Sequence, residues 1–187
     1  PELVVGGGLG VPYVEGESAP SIQEWAAAIF DACSDAGVES LVGSEPGRSI
    51  VASAAVTLYT VGTIKEVPDH RTYVSVDGGM SDNPRPALYG SGYETFLPRS
   101  SQAERQNPVR LVGKHCESGD FLIKEAWVPE DLSVGDILAT PVTGAYGHSM
   151  GSNYNQMLRP AVVFVSDGSP RLVVARETYE DLTRRDI

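Results

Sequence analysis

The sequence predicts an α/β segment followed by a mainly antiparallel β region. Residues 1–55 contain a strand, a glycine-rich loop, a helix, a second strand and another loop, the order typical of parallel sheets. From residue 56 the helical periodicity is lost and β-branched segments follow one another, which favours antiparallel strands. The 187 residues include 20 Gly and 13 Pro, so we expect short elements joined by many turns, within one domain or two small ones.

Charge and composition exclude several classes of function. The 14 Lys and Arg residues are outnumbered by 25 Asp and Glu residues, and the net charge of −11 disfavours binding to nucleic acid. We find no signal peptide and no apolar run that could span a bilayer, so we expect no membrane partner. Only two cysteines are present, which rules out a disulfide scaffold and favours the reducing cytoplasm.

The elements of the first region follow from short patterns. The apolar run Leu3–Val5 leads directly into GGGLG at residues 6–10, and a chain that begins inside a strand is expected to be a piece of a longer polypeptide. Ser21 and Glu24 have the spacing of a capping box, and apolar residues then recur every three or four positions up to Gly37, which predicts a helix. The remaining elements are the apolar pair Leu41–Val42, a loop over 43–48 and a short helix over 49–55.

The second region is predicted to be β structure because of its β-branched and alternating segments. Asp167-Gly168 is a hairpin signal, although Ser169-Pro170 is expected to lengthen that loop beyond two residues. Residues 99–108 are polar and predict a surface loop, and 176–186 predict a final short helix. The predicted strands are 56–67, 72–76, 109–112, 137–139, 162–165 and 172–174.

Two glycine-containing loops that follow apolar strands are the first candidates for chemistry. Backbone N–H groups of Gly6, Gly7 and Gly8 can approach a phosphate because no Cβ intervenes, although such turns also arise for steric reasons alone. The second loop, residues 45–48, combines a carboxylate with Arg48, and its alternative explanation is a surface ion pair beside a Pro-Gly turn. We expect a phosphate-bearing ligand at these loops.

The sequence His115-Cys116-Glu117-Ser118-Gly119-Asp120 is the next candidate. A neighbouring carboxylate keeps a thiol protonated, which favours Cys116 as a general acid over a nucleophile. The alternatives are a buried cysteine beside solvated charges, or a metal site formed by His115, Cys116 and Asp120. No CxxC or HxxxH pattern supports a metal, and we expect none.

Two further segments are rich in turn formers and tyrosines. Residues 77–89 contain Arg85 and Tyr89, and residues 143–150 contain Tyr146. These side chains suit a polar ligand, but ordinary loops with half-buried tyrosines have the same composition.

Five motifs in one order resemble a known family. The motifs GGGLG, EPGR, DGGMSDNPRPALYG, HCESGD and GAYG are similar to those of the fold-type III, pyridoxal-phosphate-dependent decarboxylases, most closely those acting on diaminopimelate. The similarity covers essentially residues 3–182. The resemblance implies that residues 1–55 are the last strands of a cofactor-binding (β/α)8 barrel. It implies that residues 56–187 are an antiparallel C-terminal β domain that contributes to the substrate site and the dimer interface.

The resemblance also implies a role for each motif. Glu45 would bond the pyridinium nitrogen of pyridoxal 5'-phosphate, Cys116 would be the catalytic acid that reprotonates the substrate carbon, and Glu117 would meet a distal ammonium. The implied cofactor-binding residues are Gly6, Gly7, Gly8, Glu45, Gly47, Arg48 and Tyr146. The implied substrate-binding residues are Arg48, Arg85, Tyr89, Glu117 and Tyr146.

The activity implied by the resemblance is decarboxylation of meso-2,6-diaminopimelate to L-lysine, in a homodimer whose partner subunit supplies Cys116 and Glu117. In that family the lysine that forms the Schiff base lies upstream, and no lysine of this chain takes its place, so we expect the isolated chain to be inactive. Related decarboxylases of ornithine, arginine or carboxynorspermidine are an alternative, but they have less use for Arg85. A non-catalytic fragment or pseudoenzyme that acts as a binding module is another.

Overall fold

The computed structural model describes residues 1–187 and contains three sheets. The strands are β1 (Glu2–Val4), β2 (Leu41–Gly43), β3 (Val56–Val67), β4 (Arg71–Val76), β5 (Asn107–Val112), β6 (Phe121–Val128), β7 (Ile137–Pro141), β8 (Val162–Ser166) and β9 (Ser169–Val174). The helices are α1 (Ile22–Asp35), α2 (Arg48–Val51), α3 (Arg85–Tyr89), α4 (Gly147–Met150) and α5 (Tyr179–Thr183). None of these helices has the length and apolar character needed to cross a membrane.

The predicted strand–helix–strand unit of the first region is confirmed. Strands β1 and β2 pair in parallel, with Leu3 opposite Val42. Helix α1 begins at the predicted capping box, in which the Glu24 N–H donates to Ser21 Oγ over 3.2 Å and the Ser21 N–H donates to the Glu24 carboxylate over 2.7 Å. The chain leaves the helix through Gly37, whose φ of 65° is accessible to glycine without strain.

The five-stranded sheet has the order β6-β5-β4-β3-β7. Its neighbours β4 and β5 are parallel, with Val74 opposite Leu111, which is the one exception to the predicted antiparallel pairing in this sheet. A parallel pair requires a long crossover, and residues 77–106, which include α3, provide it. All other pairs of this sheet are antiparallel, so the second region is mainly antiparallel β structure.

Strand β6 is absent from the sequence-based prediction. Lys124 and Glu125 interrupt its apolar pattern, and both are exposed where β6 pairs with β5 through irregular register. Leu122, Ile123 and Ala126 are nevertheless buried. The register irregularities move buried positions out of strict alternation, which removes the period-2 signal from the sequence.

The β8–β9 hairpin corrects the predicted loop length. Ser166 pairs with Ser169, so Asp167 and Gly168 alone form the loop, with φ values of 51° and 73°. Pro170 pairs with Val165 inside β9. Proline is tolerated there because this two-stranded sheet has only edge strands.

One hydrophobic core joins the five-stranded sheet to the loop that follows the glycine-rich sequence. Tyr13 belongs to this core and packs edge-on against Tyr93, with ring centroids 5.1 Å apart. Residues 9–17 are therefore held against the sheet. The core residues are Tyr13, Tyr59, Val61, Val74, Val76, Tyr93, Leu97, Val109, Leu111, Leu122, Ile123, Ala126, Val128 and Leu138.

Candidate functional site

The glycine-rich loop and the EPGR loop meet at the ends of β1 and β2. The Glu45 N–H donates to the Gly6 carbonyl over 2.8 Å, and a Cβ at Gly7 would lie 2.5 Å from the Glu45 carbonyl oxygen. Gly6 and Gly8 have φ values of 76° and 106°, and a Cβ on either would meet open space. The N–H groups of Gly6–Gly8 donate no hydrogen bond within the chain, so they remain available to an anion.

Arg48 faces Tyr146 rather than Glu45. No ion pair forms between Glu45 and Arg48, which removes the alternative explanation of this loop as a surface ion pair. The Arg48 guanidinium lies 5.9 Å from the centroid of the Tyr146 ring, and its buried Nε has no hydrogen-bond partner. A Cβ at Gly47 would lie 3.9 Å from the Tyr146 hydroxyl. The EPGR and GAYG motifs therefore share one surface.

The GAYG segment is fixed in a strained conformation. Tyr146 has a φ of 67°, which non-glycine residues rarely adopt. The Gly144 N–H donates to the Ala52 carbonyl over 3.0 Å, and a Cβ at Gly144 would overlap the Val51 carbonyl oxygen. This close backbone approach explains the glycine and holds the tyrosine ring beside the EPGR loop.

Arg85 is a buried cation surrounded by tyrosines. Only 6 % of Arg85 is exposed to solvent. Its guanidinium carbon lies 5.3 Å from the ring centroid of Tyr13, 5.2 Å from that of Tyr89 and 5.7 Å from that of Tyr146. It donates to Ser91 Oγ over 3.2 Å, whereas its buried Nε has no partner and no carboxylate pairs with it. A buried guanidinium with spare donors suits a planar anion such as a carboxylate.

Burial raises the pKa of two side chains close to Arg85 in the fold, Asp82 and Tyr93. Desolvation raises the pKa of Asp82 and of the Tyr93 hydroxyl above their ordinary values. The Asp82 carboxylate accepts the Gly79 N–H over 3.1 Å. Tyr93 therefore stays protonated at neutral pH.

Asp120 ties the HCESGD loop to the DGGMSDN segment. Its carboxylate, in a residue only 3 % exposed, accepts the Met80 N–H over 2.7 Å and the His115 N–H over 2.8 Å. The His115 Nε2 lies 2.9 Å from Ser81 Oγ. Asp120 therefore acts as a structural acceptor, and no group of three or more His, Cys, Asp or Glu residues is arranged to hold a metal.

Cys116 and Glu117 form the exposed end of that loop. The Tyr154 hydroxyl donates to Glu117 Oε1 over 2.5 Å, and this bond raises the pKa of Tyr154. No hydrogen bond or ion pair joins Cys116 or Glu117 to Arg48, Arg85 or Tyr146. Within one chain the thiol and its neighbouring carboxylate are thus not bonded to the arginine cluster.

Most of the predicted site residues come together, and some neighbours were missed. Tyr13, Ser91 and Tyr154 were not predicted, because each lies outside the motifs identified in the sequence and contacts the site only through tertiary packing. The loop junction and the arginine–tyrosine cluster bring together Gly6, Gly7, Gly8, Glu45, Gly47, Arg48, Arg85, Tyr89 and Tyr146.

Known proteins share both the sequence and the fold of this chain. Diaminopimelate decarboxylase of Synechocystis sp. is 50 % identical over 191 residues, which cover 99 % of this chain and 40 % of that protein. The structure of diaminopimelate decarboxylase from M. jannaschii in co-complex with L-lysine has a TM-score of 0.89 at 36 % identity, covering 100 % of this chain and 43 % of that one. The Helicobacter pylori enzyme complexed with L-lysine has a TM-score of 0.85 at 36 % identity, covering 98 % and 44 %.

These matches define what part of a protein the chain represents. The chain spans about two fifths of the length of the curated relatives it matches. The sequence model of a family described as "Pyridoxal-dependent decarboxylase, C-terminal sheet domain" matches residues 27–144. The chain therefore belongs to the pyridoxal-dependent decarboxylases and contains their C-terminal sheet domain.

Proposed function

We propose that this chain is the C-terminal portion of a cytoplasmic, homodimeric decarboxylase that uses pyridoxal phosphate to convert meso-2,6-diaminopimelate to L-lysine and CO2. The observation that carries the proposal is the buried guanidinium of Arg85, which has spare donors and no carboxylate partner. A buried unpaired cation is costly, and a substrate carboxylate would offset that cost. Diaminopimelate carries a carboxylate at its distal end, whereas ornithine and arginine do not.

The junction of the glycine-rich loop with Glu45 fits pyridoxal phosphate. The free N–H groups of Gly6–Gly8 and the open space beside Gly6 and Gly8 suit its phosphate, with Gly47 on the neighbouring loop. The Glu45 carboxylate makes no hydrogen bond within the chain and would accept one from the protonated ring nitrogen. When bound, pyridoxal phosphate accepts the electron pair released as the substrate carboxylate departs.

The remaining side chains bind and orient the substrate. Arg48 and Arg85 lie near the same Tyr146 ring, and Tyr89 lies against Arg85. The two guanidinium groups can hold carboxylates or phosphate oxygens, and Tyr146 would contact both cofactor and substrate.

Two roles fall to the HCESGD loop, which would supply the proton for the substrate carbon and the carboxylate that binds the distal ammonium of the substrate. Cys116 is an exposed thiol that would donate the proton to the substrate carbon, and Glu117 would accept the distal ammonium. We assign Cys116 and Glu117 to the site of the partner subunit, because both are exposed and neither bonds to Arg85 or Tyr146 within one chain. A homodimer then forms two such sites.

The division of the chain follows from the same proposal. Residues 1–55 would be the last strands of the (β/α)8 barrel, and residues 56–187 the C-terminal β domain. Leu3, Val4 and Leu41 are exposed on the parallel β1–β2 pair, and Phe30 is exposed on α1. Parallel strands normally have both faces covered, which supports further barrel strands against this unit.

The test uses the full-length enzyme loaded with pyridoxal phosphate, with CO2 release and L-lysine as readouts. We expect Arg85→Ala to lower kcat/KM for meso-diaminopimelate about 100-fold, since truncating one partner of a buried charge pair costs about 3 kcal/mol. Arg110→Ala is the control, because Arg110 also lies over an aromatic ring, that of Phe121, outside the proposed site. Unchanged turnover in Arg85→Ala, or a preference for ornithine, would refute the substrate assignment. The binding-module alternative predicts that no amino acid is decarboxylated.

A further inference from the structure

Tyr154 contacts the residues on both sides of Cys116. Its hydroxyl donates to Glu117 Oε1 over 2.5 Å. Its ring packs edge-on against His115, with centroids 5.5 Å apart and an interplanar angle of 66°. One aromatic side chain therefore contacts both sequence neighbours of the exposed thiol. No sequence motif identified this tyrosine.

The segment that carries Tyr154 is anchored by hydrogen bonds to residues outside the Cys116 loop. The Ser152 N–H donates to the Ser81 carbonyl over 2.9 Å. Asn153 Nδ2 donates to the Met157 carbonyl over 2.9 Å and to the Glu177 carboxylate over 2.6 Å. These bonds hold the backbone next to Tyr154 in place, so that its hydroxyl can orient the Glu117 carboxylate.

The base of the Cys116 loop is also fixed. His115 is buried, its N–H is held by Asp120, and its Nε2 lies beside Ser81 Oγ. Glu117, by contrast, is exposed, and its side chain has one hydrogen-bond partner, Tyr154. Removing that partner releases Glu117 while the rest of the loop stays anchored.

We propose that Tyr154 is a positioning residue that orients the Glu117 carboxylate for the substrate. Tyr154 occupies Oε1 of Glu117, whereas Oε2 accepts no hydrogen bond within the chain and is free to meet an ammonium. A carboxylate already held in one rotamer loses less conformational entropy when the ammonium binds. The inference rests on the proposed function, because the ammonium belongs to the distal head group of the proposed substrate.

The kinetic test compares Tyr154→Phe, Glu117→Gln and their double variant in the full-length holoenzyme. We expect Tyr154→Phe to raise KM for meso-diaminopimelate about five- to tenfold, which corresponds to the net contribution of one ordinary hydrogen bond of about 1 kcal/mol, with kcat within about twofold. Because Tyr154 acts through Glu117, the double variant should be no worse than Glu117→Gln alone. Tyr179→Phe is the matched control, since Tyr179 is exposed and makes no side-chain hydrogen bond.

Hydrogen exchange provides a readout that does not require turnover. In the cofactor-free full-length enzyme we expect the amides of residues 116–120 to exchange several-fold faster in Tyr154→Phe than in Tyr179→Phe. The amides of Lys114 and His115, which are held by Gly78 and Asp120, should not change. Additive kinetic effects in the double variant, or an unchanged KM where Glu117→Gln raises it, would overturn the inference. If the wild-type enzyme fails to decarboxylate diaminopimelate, the proposed function fails, and unchanged exchange in Tyr154→Phe would defeat the positioning role independently.

Discussion

The backbone N–H of Glu45 donates a 2.8 Å hydrogen bond to the carbonyl oxygen of Gly6. These residues are far apart in the sequence, with the whole of α1 between them. They meet because each follows one strand of the parallel β1–β2 pair, and the loops after parallel strands emerge at the same edge. The topology of one strand–helix–strand unit thus brings the two candidate cofactor loops together.

Gly7→Ala should weaken cofactor binding in the full-length enzyme. A Cβ at this position would lie 2.5 Å from the Glu45 carbonyl oxygen, so the two loops must separate. Forced overpacking costs about 1–3 kcal/mol, which corresponds to a Kd for pyridoxal phosphate that is weaker by roughly five- to 150-fold. Spectrophotometric titration of the cofactor-free enzyme measures this. Gly10→Ala is the control, because a Cβ there meets nothing within 4 Å, and equal affinities in the two variants would contradict the expectation.

Arg85→Met should impair substrate binding without lowering the free energy of unfolding. The side chain is buried without a carboxylate partner, so replacing the cation by an apolar chain of similar length is expected to be neutral or stabilising by up to about 2 kcal/mol. KM for diaminopimelate should nevertheless rise at least about 100-fold. Urea unfolding of the cofactor-free enzyme and steady-state kinetics measure the two effects.

The matched control for that variant is Arg110→Met, which removes another guanidinium lying over an aromatic ring. Its KM should remain within about twofold of wild type. A marked loss of stability in Arg85→Met alone would mean that the arginine stabilises the fold, and a KM equal to that of wild type would refute its role in substrate binding.

Asp120→Asn should destabilise the HCESGD loop. The buried carboxylate accepts two backbone N–H groups, from Met80 and His115, and an amide cannot accept both with the same geometry. Each buried donor left unpaired costs about 1–3 kcal/mol, which denaturant unfolding can measure. Asp31→Asn, an exposed substitution on α1, should leave stability within about 0.5 kcal/mol of wild type. Equal unfolding midpoints for the two variants would argue against this role of Asp120.

The ion pair between Arg99 and Asp136 should make stability depend on pH in acid. Hydrogen bonds from Arg99 and from the Ser133 N–H lower the pKa of Asp136 to about 2. Because the folded pKa lies below the unfolded value of about 3.9, the stabilisation is fully present above about pH 4 and is lost as the pH falls towards 2. The Tm difference between wild type and Arg99→Met should therefore be constant from neutral pH to about pH 4.5 and shrink below pH 4.

The comparison variant is Arg176→Met, an exposed arginine without an ion pair, whose Tm difference from wild type should not change over this range. The effect of Arg99→Met should be modest, because the arginine side chain is 44 % exposed and water screens the pair. A difference that grows as the pH falls would have the wrong sign for this ion pair.

Local patterns predicted the secondary structure well where one residue or one period dominates. The capping box at Ser21 and Glu24, the ending at Gly37 and the β-branched run of β3 were all identified from sequence and are confirmed. Prediction failed where the apolar pattern of a strand is interrupted. Lys124 and Glu125 break the pattern of β6, which was not predicted, and Pro170 suggested a longer hairpin loop than the chain adopts. In both cases strand pairing outweighed the local preference.

Residue chemistry along the chain was sufficient to indicate a phosphate-binding glycine loop, an acid–arginine turn and an exposed thiol beside carboxylates. It did not reveal that Arg85 is buried among tyrosines or that the Arg48 guanidinium lies over Tyr146 and makes no ion pair with Glu45. Nor did it reveal that the Tyr154 hydroxyl donates a hydrogen bond to Glu117. Such contacts join positions far apart in the chain, and no local propensity encodes them. They arise when crossovers, strained turns and core packing fix the distances between loops, and only the folded chain contains that information.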